Sequence, residues 1–551
     1  DLERAIAESW RELLGAPRIG AHDNFFELGG HSLLLTKLAA QLSAAHGIDV
    51  PLRMLFENLT VARMAAWIDE HRGDGAAKAT AIPLIGRDGG LPLSFAQEEL
   101  YLHQPVPAHE PFHNVLTAVT LHGPLDEPAL RHTLDTVVRR HEALRTRIAE
   151  RSGTPVQLVG DDGAWPLAVV DLRAHQPAAR QEELRRIVSA EERRPFRLAE
   201  ENLVRATLVR LADDEHVLVQ VMHHLVTDNW SYGVLFDEMR ELYRARVHGT
   251  GARLPELVAQ FADVAAWQQQ RLADGALDAH LDHWRDRLAG LPPTLRFAAP
   301  GHQEVRPATG STAGFVIGAR PATALADLGR HEGATLFMVL LAAFGILLSA
   351  YSGSDDIPVD FPVAGRERPE TEHLIGYFVN HLVVRSDLTG NPTFRDLVRQ
   401  VRERTLSAYT HQDAPLWALD GAVPEGHDPS GISFNLLNAT VPALELAGLT
   451  TTPLHLDVGD DYVFPEVVAT FTADAVDLAL IMREEDAGTL RGMWLYDLKA
   501  VDARAVAAMS RRWPHLIAAV AAAPDRPVGE LRQLLLAPLP AGDDATTVER
   551  G

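Results

Sequence analysis

The stretch from His216 to Arg246 constrains this chain more than any other. His216–Val221 is an apolar run that reads as a buried β-strand. It leads into Met222-His223-His224-Leu225-Val226-Thr227-Asp228-Asn229-Trp230-Ser231, and Tyr232–Arg246 then has a helical pattern. Two adjacent imidazoles therefore sit where a strand gives way to a loop, a usual location for functional side chains. Neighbours on a strand point to opposite faces, so one histidine can face a cavity while the other faces the core. Asp228 could fold back to orient an imidazole or fix the loop through a buried ion pair. Two adjacent histidines alone are more often satisfied core residues, so the pair needs its context.

At 551 residues the chain is too long for one core. A net charge of -24 argues against nucleic acid or an anionic membrane as the main partner. The absence of cysteine excludes disulfides, thiolate nucleophiles and cysteine-type zinc sites. His109 and His113 lack a third ligand at suitable spacing, so no metal is expected. Of 51 basic residues, 48 are arginine, as in a GC-rich genome. No signal peptide is read in the sequence, and a cytoplasmic bacterial location is expected. The longest apolar run, Phe337–Ala350, is too short to span a bilayer and reads as a buried helix with Thr335 at its cap.

Residues 1–72 read as a small helical unit. Leu2, Ile6, Trp10, Leu13 and Leu14 share one helical stripe, which Pro17 and Gly20 end. Ser32 stands before the periodic residues Leu35, Leu38 and Leu42, at a helix start where free N–H groups and the positive dipole end favour an anion. Residues 73–90 form a linker rich in Ala and Gly. Helices and strands alternate in an α/β unit over 91–265, with Leu130, Leu134, Val137 and Val138 on one helix face. A helical connection over 266–291 leads to a second α/β unit over 292–535, and 536–551 is a polar linker. Val476–Met482 and Leu490–Tyr496 read as paired strands. Glu367, Arg368, Glu370 and Glu372 read as a solvated loop, and Trp165, Trp284 and Trp417 as packing residues.

Several motifs together resemble the condensation domains of nonribosomal peptide synthetases, relatives of chloramphenicol acetyltransferase. His223-His224…Asp228 resembles HHxxxDG, Ser94-Phe95-Ala96-Gln97 the opening SxAQ, and Arg140-His141-Glu142-Ala143-Leu144-Arg145-Thr146 the RHExLRT element. Phe261–Trp267 loosely matches YxDYAxW, Ile375-Gly376-Tyr377-Phe378-Val379-Asn380 matches IGxFVN, and His411-Gln412-Asp413 matches HQD. The segment Asp23–Ser32 resembles the attachment site of peptidyl carrier proteins, and His31 is the variant that precedes a condensation domain. The resemblance implies a four-helix carrier domain followed by two acetyltransferase-like lobes in a V-shaped pseudo-dimer. It implies 4'-phosphopantetheine on Ser32 as cofactor. The implied partners are carrier domains of neighbouring modules, a phosphopantetheinyl transferase and an adenylation domain.

The implied reaction is attack of an acceptor α-amine on a donor thioester. An α-amine has a pKa of roughly 7.7–8.0, so a useful fraction is neutral near physiological pH. His224 can hydrogen-bond that amine and take its proton; general base and positioning group are both open. His223, Asp228 and Asn229 complete the expected catalytic motif. Asp228 is expected to hold the loop through Arg366 or Arg145 instead of touching substrate, with Ser231, Trp230, Tyr377 and Asn380 supporting a tunnel between the lobes. Asn229 replaces the family's glycine, and the reading favoured here is a turn with φ > 0, which Asn tolerates. Two rivals stand beside condensation: an epimerisation domain, and a degenerate relative that recruits a partner protein. A heterocyclising relative would carry DxxxxD, which is absent here.

Overall fold

The computed structural model describes residues 2–30, 32–48, 50–71, 81–103, 113–161, 163–297, 311–419, 431–437, 443–454, 468–469, 476–485, 488–497 and 500–537. His31, Arg72, His109, residues 73–80 of the linker and residues 538–551 of the tail lie outside them.

Four helices, Leu2–Leu14, Ser32–His46, Leu52–Glu57 and Val61–His71, make the N-terminal unit. Ile6, Trp10, Leu35, Leu38, Leu42 and Ile68 fill its core, as the helical stripes require. Downstream, the first sheet has the order Thr450–Pro453, Asn114–His122, Glu215–His223, Val204–Arg210, Leu167–Asp171, with Val468–Ala469 also on the Asn114–His122 strand. Glu127–Arg140 and Asn229–His248 pack together, the first burying Leu130, Leu134, Val137 and Val138. The charged helix Pro177–Arg193 keeps only Leu184, Ile187 and Val188 inside.

The second sheet runs Ser311–Ile317, Leu490–Tyr496, Leu478–Glu484, Ile432–Leu437, Asp356–Val363, Asn380–Asp387. The strands 478–484 and 490–496 pair antiparallel, as their patterns predict. Leu336–Ser352 is apolar on all faces and buried throughout most of its length, so it lies inside this lobe. The Thr335 hydroxyl accepts from the Met338 N–H at 3.3 Å, and Gly353 ends the helix at φ 74°. Among the described residues no single helix is long and apolar enough to cross a membrane.

The second lobe lends segments to the first, which a simple division at residue 292 does not anticipate. Thr450–Pro453 adds an edge strand to the first sheet, in register with Val119–His122. The connection between Asp356–Val363 and Asn380–Asp387 leaves the second sheet and crosses to the first lobe. There Leu374, Ile375, Tyr377 and Phe378 join the first lobe's apolar core. A Cβ on Gly376 would collide with the Phe261 ring, so this crossing needs a glycine at that point.

Candidate active site

The strand Glu215–His223 is buried along nearly its whole length because apolar residues occupy both of its faces. It ends at His223, and a single turn, His224–Val226, follows. The two imidazoles diverge as alternation requires. His223 is buried against His113 and Phe196, with ring centroids 5.6 and 6.0 Å away. Its Nδ1 accepts from the Leu225 N–H at 3.1 Å. His224 is only half-buried, and its Nδ1 lies 2.7 Å from the Thr227 carbonyl oxygen. A carbonyl can only accept, so Nδ1 carries the proton and Nε2 keeps its lone pair. Burial holds the His224 pKa below the ordinary imidazole value, against the opposing pull of the Thr227 carbonyl and Asp228, with His381 adding to the depression. His224 is therefore a neutral imidazole with a basic nitrogen at physiological pH.

Asp228 caps the helix Asn229–His248. Its Oδ1 accepts from the Ser231 N–H at 2.8 Å and the Ser231 hydroxyl at 2.7 Å, and its Oδ2 from the Phe378 N–H at 3.1 Å. Arg366, fully buried, donates to both carboxylate oxygens at 3.1 and 3.2 Å and to the carbonyls of Thr371 and Leu374, each at 2.7 Å. Burial pulls the guanidinium pKa down, and Asp228 opposes that pull. The Gly376 N–H donates to the Ser231 hydroxyl at 3.1 Å, and the Gly376 carbonyl oxygen lies 2.9 Å from the same hydroxyl, competing with Asp228 for its one proton. The Trp230 indole N–H donates to the Glu372 carbonyl at 2.9 Å. Asp228, Ser231, Trp230 and Arg366 thus form one polar seam between the lobes, and Tyr377 rests on His224 with ring centroids 4.5 Å apart.

Three expectations need correction. Arg145 is not in this seam; it pairs with Glu142 at 3.6 Å and reaches the Gly160 carbonyl. Asn229 is the first residue of the helix, and among the described residues only Ser152 and Asn391 are non-glycines with positive φ. Because Asp228 is the cap, the position after it has ordinary helical φ, and no glycine-like turn exists there. The segment 367–372 is not solvated either: Arg368 and Glu370 pair at 2.6 Å, with side chains only 20% and 17% exposed. Burial, reinforced by Asp413, pushes the Glu367 carboxyl up to about 7.

Other motif residues brace the site. Ser94 and Gln97 form a reciprocal cap, and Gln97 Nε2 donates to the Leu225 carbonyl at 2.8 Å, next to the imidazoles. The SxAQ pattern located Gln97 but carried no sign of this long-range bond. His141 accepts from the Ile375 N–H at 3.4 Å and faces Glu238 at 3.0 Å. Asn380 donates to the carbonyls of Gln412 and Ala414, at 2.6 and 3.1 Å, and so anchors the HQD element to the second lobe. Trp165 and Trp284 are buried, and Trp417 donates to the Phe95 carbonyl at 3.1 Å, consistent with packing roles.

Ser32 opens the helix Ser32–His46, which has no acidic residue in its first turn. A phosphodiester there meets the positive end of the dipole without carboxylate repulsion from that turn, so the helix start fits the group. About one and a half turns along the same helix, Lys37 Nζ lies 4.3 Å from the centroid of the Trp230 ring. Phe56 stacks on Tyr409 at 6.1 Å, and Arg53 pairs with Glu403 at 3.3 Å. The helical unit therefore contacts both lobes near the seam.

Residues 88–536 match the family described as "Condensation domain", and residues 4–68 match "Phosphopantetheine attachment site". One of the linear gramicidin synthase proteins of Brevibacillus parabrevis is 38% identical over 536 residues, which is 96% of this chain and 7% of that protein. The chain thus spans less than a tenth of that relative's length. Among solved structures, the X-domain from teicoplanin biosynthesis superposes with a TM-score of 0.68 at 26% identity, covering 82% of this chain and 99% of that one. That X-domain is also described in a complex with OxyB. The first condensation domain of the calcium-dependent antibiotic synthetase shares the fold, with a TM-score of 0.64 at 19% identity over 80% of this chain and 99% of that one.

Proposed function

Because this chain belongs to the condensation-domain family of nonribosomal peptide synthetases, with a phosphopantetheine-attachment domain ahead of it, we propose that it forms amide bonds between carrier-bound acyl groups. One observation carries this reading: His224 presents a neutral Nε2 with its lone pair free, on a ring fixed by the Thr227 carbonyl. An acceptor α-amine that approaches Nε2 can hydrogen-bond to it and pass it a proton as the new C–N bond forms. Holding both reactants in line supplies the rest, since proximity alone is worth ~7–11 kcal/mol. His223 shapes the core side of the turn. Asp228 and Arg366 hold the turn and touch no substrate.

On this reading Ser32 bears the phosphopantetheine, which supplies an activated acyl thioester on a long arm. Lys37 against Trp230 supports service of this site by the chain's own carrier. The neighbouring partners are a phosphopantetheinyl transferase, an adenylation domain and the acceptor carrier of the next module.

The test is mass spectrometry after mixing the chain, loaded on Ser32, with an aminoacyl carrier. A dipeptidyl product on the acceptor is expected, falling ~10²-fold or more in His224→Ala because a positioned acid–base group contributes ~10²–10⁴. Unchanged single-turnover rates in His224→Ala would remove that role. A pantetheine-sized mass gain on Ser32→Ala would move the attachment site. A second reading, a partner-recruiting domain without turnover, draws on the likeness to the X-domain described with OxyB. A folded, loaded chain that binds a partner and makes no product would favour it.

A further inference from the structure

A second imidazole borders the same site. His381 is the second residue of the strand Asn380–Asp387, directly after the IGYFVN element. Across the ladder it faces Pro362, and Asp360 lies diagonally two residues away on the neighbouring strand. Asp360 is buried, and both of its oxygens lie within reach of His381 Nδ1, at 3.1 and 3.0 Å. A carboxylate can only accept, so Nδ1 donates. The side chain keeps 29% of its surface exposed, which leaves Nε2–H as the group offered outward. Tyr377, whose ring lies on His224, also feels the field of Asp360, and His224 feels that of His381. The two imidazoles are complementary: His224 offers a lone pair, and His381 offers a proton.

We propose that His381, held by Asp360, is a second catalytic residue, donating the hydrogen bond that receives the acyl carbonyl oxygen during amide formation. The proposal rests on the condensation reading above. As the amine lone pair bonds to the carbonyl carbon, the C=O π pair moves onto oxygen and His224 Nε2 takes the proton from nitrogen. The C=O bond then re-forms as the C–S bond breaks, and the proton on His224 passes to the departing sulfur. His381 keeps its own proton throughout and stabilises the charge on oxygen, where a preorganised donor counts most. The charged and titratable groups that act on it are Asp360 on the adjacent strand, Glu99 on the turn Glu99–His103, and His224. Burial alone would lower its pKa, but Asp360, with help from Glu99, holds it up at about 9, so the ring is an imidazolium at working pH.

Two variants of the full chain test this. Asp360→Asn removes the partner that keeps His381 charged; the double variant Asp360→Asn/His381→Phe removes the donor and leaves no buried charge unpaired. Donors are a panel of aminoacyl groups loaded on Ser32, and the acceptor is glycyl N-acetylcysteamine thioester. NMR of isotope-labelled histidine should show His381 titrating near 9 in the wild type and below the ordinary value of ~6.5 in Asp360→Asn, where burial outweighs what remains to hold it up. The double variant should lose ~10²-fold in rate, the cost of one oxyanion donor. The ratio of wild-type to Asp360→Asn rate should widen as pH rises from ~5 to ~6.5, through the lowered value of the variant. A double variant at the wild-type rate, or a ratio flat with pH, overturns the proposal while condensation stands. A wild-type chain with no turnover across the panel sinks the condensation reading and this proposal with it.

Discussion

Asp228 is the carboxylate on which the polar seam converges. Its oxygens are taken by Ser231, Phe378 and Arg366, and Arg366 is fully buried. Asp228→Ala leaves that guanidinium without its counter-ion and should cost ~3–5 kcal/mol, read as a shift of the denaturant midpoint. A variant with native stability and no activity would put Asp228 in the reaction instead. That Asp228 pairs with an arginine was legible in the sequence because a buried motif aspartate needs a cation, but the sequence left Arg366 and Arg145 both open, and only the tertiary packing chooses Arg366. The state of Asn229 was not legible, because whether the residue after Asp228 turns or starts a helix depends on which N–H the carboxylate captures. With Asn229 at the first helical position, Asn229→Val should keep the fold and cost under ~1 kcal/mol, since only helix propensity changes. Loss of condensation in a stable Asn229→Val would assign the exposed side chain a contact with substrate. A large drop in melting temperature would restore the positive-φ idea.

The elements that patterned cleanly in sequence are those whose burial is decided locally. The strand ending at His223, the helix after Asp228 and the apolar helix Leu336–Ser352 follow from continuous apolar runs and their caps. Thr450–Pro453 could not be read this way. Four residues with two half-buried and two exposed carry no periodic signal, and the strand exists only because Val119–His122 offers it an edge. The His381–Asp360 pair was hidden for the same reason, since a ladder register joins two residues 21 apart. The contact of the helical unit with the lobes is also tertiary, and it is testable by charge exchange. Arg53→Glu should place like charges opposite Glu403 and slow use of the chain's own carrier by up to ~5-fold, the ~1 kcal/mol ceiling of an exposed pair. Adding Glu403→Arg should restore the rate in single-turnover measurements. No recovery in the double variant would mean that Arg53 and Glu403 do not meet during turnover.

At the scale of the molecule, three imidazoles with displaced pKa values set a pH window. His113 and His283 are pushed down to about 4, chiefly by burial. Their folded pKa lies below the unfolded value of ~6.5, so their stability is present above that value and is lost as pH falls toward the folded pKa. His381 has the opposite sign: raised to about 9, it contributes fully below ~6.5 and loses its contribution as pH rises through the folded value. The urea midpoint should therefore decline on both sides of neutrality, and Asp360→Asn should flatten the alkaline side alone. An unchanged alkaline slope in Asp360→Asn would show that another group sets it. The crossing segment has a larger effect. Leu374, Ile375, Tyr377 and Phe378 belong by position to the second sheet's connection and by packing to the first lobe's core. Withdrawing them would expose ~1.5–3 kcal/mol of side-chain burial each, a sum comparable to the entire stability of a domain. A fragment ending near residue 265 should accordingly lack cooperative unfolding and aggregate in size-exclusion runs; a monodisperse, cooperatively melting fragment would contradict this. The segment also dictates a schedule. A ribosome delivers the chain from its N-terminus, and the first lobe must wait, unfinished and with the Asn114–His122 edge bare, until residues 374–378 and then 450–453 emerge. The imidazole pair leaves the ribosome well before the site around it can be completed, because that step waits for residues 374–378 and 450–453.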